Sequence, residues 1–173
     1  MKTGMRRQIG VILVALLLFM PSCASTPKKE SEGGDAEAYF NQGLASGEKH
    51  RYDQAISDYT KALEIDPRNA NAYARRGVAY GKKGLYDQAI SDFTKAIEIN
   101  PRDAKSFYNR GVAYGRKGLY DQAISDYTKT LEIDPKFAEA YYNRGVAYGK
   151  KGLIDQAMSD YAKALEINPN LAR

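Results

Sequence analysis

The sequence predicts an all-α fold of stacked helical hairpins, and three observations lead to this prediction. A 34-residue unit recurs four times, most visibly through Pro67, Pro101, Pro135 and Pro169. Within a unit, apolar residues return at the three- and four-residue spacing of a helix face. Each unit is too short to bury two such faces by itself, so neighbouring units must stack on one another.

The period divides most of the chain into four repeats, 36–69, 70–103, 104–137 and 138–171. Repeats 2 and 3 are identical at 22 of 34 positions, and repeats 3 and 4 at 23. A period this strict is typical of an elongated array rather than a closed globule.

The first helix of a repeat is indicated by aromatic and glycine positions. In repeat 2, Tyr73, Gly77 and Tyr80 fall on one helix face. Gly84 is expected to end this helix, because glycine readily adopts the left-handed conformation common at helix C-termini.

The second helix of repeat 2 opens near Asp87, whose carboxylate suits a helix N-terminus. Its apolar face is expected to comprise Tyr86, Ile90, Phe93 and Ile97. Pro101 ends the helix, since proline disfavours the helical conformation of the residue before it.

Residues 1–23 have the form of an export signal. Lys2, Arg6 and Arg7 precede an uncharged apolar stretch at 9–20, which is short for a transmembrane helix. The chain's single cysteine, Cys23, follows, and this arrangement resembles a bacterial lipoprotein signal in which the cysteine is acylated. The alternative is ordinary secretory cleavage after Ala24. Both predict an exported protein.

Acylation of Cys23 would anchor the protein in a membrane of the cell envelope. The residue after it is alanine rather than aspartate, which resembles the outer-membrane class of lipoproteins if the host is Gram-negative. Residues 24–35 hold no large apolar side chain, and we expect them to form a flexible tether.

The repeats resemble the tetratricopeptide repeat family. In repeat 3 the matching residues are Phe107, Gly111, Tyr114, Ala123, Tyr127 and Pro135. Repeat 1 departs most from the pattern, with Ser46 in place of the tyrosine and His50 where later repeats have glycine. The resemblance implies a right-handed α-solenoid of four helix-turn-helix repeats. It also implies that the first helices line a concave groove for a peptide or protein partner.

Carried over residue by residue, the resemblance places aromatic, amide and basic side chains on this groove. They are Phe40, Asn41, Lys82, Tyr108, Asn109, Arg116, Tyr142, Asn143 and Lys150. Such a groove suits a segment with apolar anchors and acidic groups. Several positions have a structural alternative: the asparagines can bind backbone within the array, and nearby valines and glycines can serve packing alone.

Composition argues against catalysis, metal binding and nucleic-acid binding. The chain has one His and one Cys, which rules out His-rich and multi-thiolate metal sites. The sequence holds no spaced ligand cluster either, and we expect no metal or cofactor. Without Lys2, Arg6 and Arg7, 23 basic and 21 acidic side chains remain, a balance that indicates no polyanionic partner. The four Ser-Asp pairs, such as Ser91-Asp92, have no recurrent base beside them and are expected on a solvated helix face. We therefore expect no enzyme activity.

The second helix of repeat 4 suggests an alternative function, a self-assembling structural element in which the uncapped ends of the array stack on one another. It carries Met158, Tyr161 and Leu165 on the face that earlier repeats use against a following repeat. An exposed apolar face usually marks an interaction site. We expect it to pair with the same face of a second copy in a twofold homodimer, or with a partner helix.

Overall fold

The computed structural model describes residues 30–172, which form eight α-helices and a short 3₁₀ helix. The first helices of the repeats are α1 (Glu30–Glu48), α3 (Ala70–Lys82), α5 (Ala104–Arg116) and α7 (Ala138–Lys150). The second helices are α2 (Tyr52–Ile65), α4 (Tyr86–Ile99), α6 (Tyr120–Ile133) and α8 (Ile154–Ile167), and the 3₁₀ helix is Pro169–Ala172. No strand occurs among these residues, so the predicted all-α class is confirmed.

The helices stack in chain order as an α-solenoid. Within a repeat the first helix packs on the second, and the second packs on the first helix of the next repeat. Successive first helices also touch one another, which places them on the inner side of the array. Each repeat therefore contacts mainly its neighbours, as expected for a solenoid.

A glycine-to-aromatic contact closes each hairpin. The buried ring of Phe93 in α4 lies so close to Gly77 in α3 that a Cβ on the glycine would come within 3.0 Å of the ring. Tyr127 and Gly111 repeat this contact in α6 and α5, where the corresponding distance is 2.8 Å. Glycine at this position thus allows the two helices to approach closely.

The predicted turn conformations are confirmed. Gly84, Gly118 and Gly152 follow the first helices with φ near 76°. In repeat 1 the same place is taken by His50, with φ of 56°, and its ring Nδ1 lies 2.8 Å from the Tyr52 hydroxyl. Histidine is among the few side chains that tolerate this region.

The structure corrects the predicted start of the folded part. Residues 30–35, expected in a flexible tether, are instead the first turns of α1. Extending an existing helix costs far less than starting one, and the acidic composition of this stretch suits a helix N-terminus.

Residues 1–29, including the predicted signal and Cys23, lie outside the described residues. No helix in the described part is long and apolar enough to cross a membrane.

The structure also corrects the assignment of the Ser-Asp pairs to a solvated face. Asp92 is only 5% exposed and accepts two hydrogen bonds from Arg76, from Nε and Nη2, each of 2.8 Å. Arg110 with Asp126 and Arg144 with Asp160 repeat this bidentate pair. The serines are exposed as expected, but the aspartates are buried because an arginine from the first helix satisfies them.

These arginines also join successive repeats. Arg76 Nη1 donates to the hydroxyl of Thr60 in the preceding repeat at 2.9 Å, and Arg110 and Arg144 do the same with Thr94 and Thr128. Each guanidinium lies over two aromatic rings of its own first helix. The Asp92 hydrogen bonds raise the pKa of Arg76 above its usual value. The three arginines, with their aspartate and threonine partners, thus form a structural network between repeats.

Candidate functional site

Three cavities follow one another along the inner side of the array. The first lies between repeats 1 and 2 and measures about 450 Å³, the second about 510 Å³ and the third, between repeats 3 and 4, about 450 Å³. Val78 and Lys82 line both the first and the second cavity. Tyr108, Val112 and Arg116 line both the second and the third. The shared walls make one groove along three repeat junctions.

The floor of each cavity is the buried aromatic ring of a second helix. Tyr59 lies under the first cavity, Phe93 under the second and Tyr127 under the third. The rings themselves are almost fully buried, and the space above them stays open because glycines replace side chains there: Gly81 has no atom within 4 Å of its Cβ position. The floors of the first and third cavities are tyrosines and carry a phenol hydroxyl, whereas the floor of the second cavity, Phe93, is purely apolar.

The rim of the groove is basic. Arg75 and Lys82 stand at the first cavity, Lys82 and Arg116 at the second, and Arg116 and Lys150 at the third. Among the described residues, Glu48 lines the first cavity and no carboxylate lines the other two. The middle and last cavities therefore favour negatively charged groups.

Tyr108 is more firmly packed than a free groove residue. Its ring lies 4.8 Å from that of Phe137 and 5.9 Å from that of Tyr127. Its hydroxyl accepts a 2.8 Å hydrogen bond from Asn143 Nδ2 in the next repeat. Burial raises the pKa of Tyr108 above its usual value. Tyr108 thus belongs both to the groove wall and to the packing between repeats 3 and 4.

Six of the nine predicted groove residues line the three cavities: Lys82, Tyr108, Asn109, Arg116, Asn143 and Lys150. The other three do not. Phe40 packs on the Tyr59 ring at 5.8 Å, Asn41 is exposed, and Tyr142 is 40% exposed and packs on Tyr161. The groove is therefore best formed at the inner repeats.

The sequence did not single out the cavity floors. Phe93 was expected only on the apolar face of its helix and Tyr127 only as a family position, but both, like Tyr59, also line the groove. The available signal was the pair of glycines one turn apart in each first helix, as in Gly77 and Gly81. The first glycine makes room for the ring, and the second lines the cavity without a side chain that would fill it.

The outer face of α8 is apolar and exposed. Met158 is 65% exposed, Ile154 58% and Leu165 39%. Tyr161, predicted on the same face, instead packs inward: its ring lies 2.9 Å from a Cβ position at Gly145. The predicted face was too broad, because Tyr161 faces the hairpin of repeat 4.

Stacked helical hairpins with a groove along their first helices define an α-solenoid scaffold for protein-protein interaction. Family models agree. Two models described as tetratricopeptide repeat match the chain, one at residues 70–103 and 138–171 and the other at 93–125. A third model, described as TPR repeat, matches residues 43–84 and 116–152. The chain belongs to the tetratricopeptide repeat family.

Solved structures support the same conclusion. A crystal structure of MamA is 31% identical, with 83% of this chain and 84% of that chain covered and a TM-score of 0.77. MamA from Desulfovibrio magneticus RS-1, from residue 41 to its end, shares the fold at 22% identity, with 83% and 81% covered and a TM-score of 0.75. The Arabidopsis OM64 TPR domain shares it at 24% identity, with 68% and 98% covered and a TM-score of 0.67. No curated protein matches this chain.

Proposed function

We propose that this protein is an adaptor of the bacterial cell envelope whose groove holds an elongated segment of a partner protein. The observation that carries the proposal is the continuous row of three cavities with a basic rim. A row of this kind suits a chain segment that places successive side chains into successive cavities. The groove binds and positions its partner, and we assign it no catalysis.

The lining defines the chemistry of the partner. The middle cavity, with Phe93 below and Val78 and Val112 beside it, suits an aromatic or branched aliphatic side chain. The cations Lys82, Arg116 and Lys150 suit carboxylates that flank this anchor. We therefore propose an acidic segment with an apolar anchor near its centre.

Selection from a random displayed peptide library tests this chemistry without a known partner. We expect the enriched peptides to combine Asp or Glu with an aromatic or aliphatic residue. Reversing two rim charges, with Lys82→Glu and Arg116→Glu, should weaken binding of a selected peptide about tenfold or more. Far-UV circular dichroism and melting should stay near wild type, since Lys82 and Arg116 are exposed.

The matched control reverses two lysines on the second helices, with Lys95→Glu and Lys129→Glu. Both lysines are exposed, pair with a glutamate three residues later and line none of the three cavities. The control has the same net charge as the rim variant and should bind the peptide as wild type does. Equal weakening by both variants, or selected peptides without acidic residues, would contradict the proposal.

The proposed location in the envelope rests on the sequence of residues 1–23 and on Cys23. We propose that Cys23 is acylated and holds the array at a membrane, in the outer membrane if the host is Gram-negative. Radiolabelled palmitate should be incorporated and should disappear in Cys23→Ser. A soluble wild-type protein that starts at Ser25 would contradict the anchor and leave the groove proposal standing.

A further inference from the structure

The two ends of the array carry complementary halves of the contacts that join one repeat to the next. At every inner junction, a lysine after a first helix pairs with an aspartate at the start of the preceding second helix. The pairs are Lys83 with Asp53, Lys117 with Asp87 and Lys151 with Asp121. The repeat period puts Lys49 at the N-terminal end and Asp155 at the C-terminal end in the same two positions, and both are exposed.

A second half-contact involves the groove wall. Asn143 donates to the Tyr108 hydroxyl across the junction of repeats 3 and 4. The equivalent asparagine of repeat 1 is Asn41, and the equivalent tyrosine of repeat 4 is Tyr142. Both side chains are exposed within one copy. The Asn41 amide of a second copy therefore has a matching acceptor in the Tyr142 hydroxyl of repeat 4.

The two ends also expose positions that the inner junctions pack together. Ala79 of α3 is buried against Ala55 and Tyr59 of the preceding repeat, with Ile56 packed beside them. Its equivalent on α1, Ala45, is exposed at the edge of a polar hollow of about 290 Å³ that Lys49 and Asp58 also line. On α8 the equivalent of Ile56 is the longer, 65% exposed Met158. The positions of both Ala45 and Met158 are thus open at the ends of one copy and packed at an inner junction.

One inner contact that the ends cannot make is missing on both sides. Each inner arginine reaches a threonine of the preceding repeat, as Arg76 reaches Thr60. The equivalent of Arg76 on α1 is Gln42, and the equivalent of Thr60 on α8 is Ala162. When the two ends are placed together, α1 therefore brings no arginine that would need the missing threonine hydroxyl, and no guanidinium is buried without a partner.

We propose that copies of this chain bind head to tail, with α8 of one copy packed against α1 of the next in the register of the inner repeat junctions. The contact is heterologous, so it extends the solenoid and its groove from copy to copy instead of closing at a pair. A twofold pairing of two α8 faces would leave α1, with Lys49, Asn41 and the hollow, outside the contact. Head-to-tail binding uses both ends, and it does not depend on the groove proposal.

Charge reversal at the two ends tests this register. The chain from residue 24 onward, which contains every described helix, should form concentration-dependent species larger than dimers in analytical ultracentrifugation. Lys49→Glu and Asp155→Lys should each weaken this association up to about tenfold, because an attraction between exposed charges becomes a repulsion. The double variant with both reversals in one chain should associate as wild type does, and so should an equimolar mixture of the two single variants.

Each other outcome overturns the proposal. Association that stops at a dimer, and that Lys49→Glu leaves unchanged, would show twofold pairing through α8. A wild-type monomer up to about 1 mM, well above the range of a small specific interface, would show that no copy covers this face. Peptide binding in the groove should be unchanged in the double variant, since neither residue lines the three cavities. The two proposals therefore fail separately.

Discussion

The buried aspartates show how a single residue type can be misjudged from sequence. Asp126 follows a serine on an otherwise amphipathic helix, and its charge favours a solvated position on any hydropathy scale. Its partner, Arg110, lies 16 residues earlier on another helix, where two hydrogen bonds satisfy the carboxylate. The repeated Arg and Asp positions were visible in the sequence, but their pairing depends on the angle at which two helices pack.

Removal of one member of this pair should be costly. Asp126→Ala leaves the half-buried Arg110 without its carboxylate, and we expect a loss of about 3 kcal/mol in the free energy of unfolding. Ser125→Ala, at the exposed neighbouring residue, should change it by less than about 0.5 kcal/mol. Urea unfolding of the two variants measures the difference. Equal stability would mean that the carboxylate is solvated after all.

At the scale of helices, the period and the turn chemistry were sufficient for most of the fold. The spacing of residues within and between repeats predicts the first and second helices, the left-handed glycines such as Gly84 and the stacking order. It does not predict the start of α1 at Glu30, because helix extension beyond a repeat boundary leaves no periodic signal. Tyr161 was misplaced because adjacent helix positions differ by about 100°, so a face drawn too wide includes a residue that packs inward.

The two glycines of a first helix should respond oppositely to the same substitution. Gly111→Ala places a Cβ 2.8 Å from the buried Tyr127 ring, and we expect a loss of about 1–3 kcal/mol in stability from overpacking. Gly115→Ala meets only the Tyr127 hydroxyl at 3.7 Å, so the better helix propensity of alanine should add up to about 1 kcal/mol. Thermal melting of both variants provides the measurement. If both lose stability alike, Gly115 has a packing role of its own.

At the scale of the whole molecule, the groove arises from the stacking of repeats. The sequence supplied six of the residues that line it, because family positions and repeat spacing mark the inner side of each first helix. It could not supply the cavities, since each is formed by side chains from two successive repeats and a floor such as Phe93. For the same reason Tyr108, which packs on Phe137, proved to be partly structural.

The central claim is that a partner segment lies in this groove, and site-directed photocrosslinking tests it most directly. A photoreactive phenylalanine analogue at Val112, in the wall shared by the second and third cavities, should crosslink to a bound acidic peptide. The same analogue at exposed Ser125 on α6, outside the cavity linings, is the matched control and should not crosslink. Crosslinking at Ser125 with none at Val112 would contradict the assignment of the groove as the binding site.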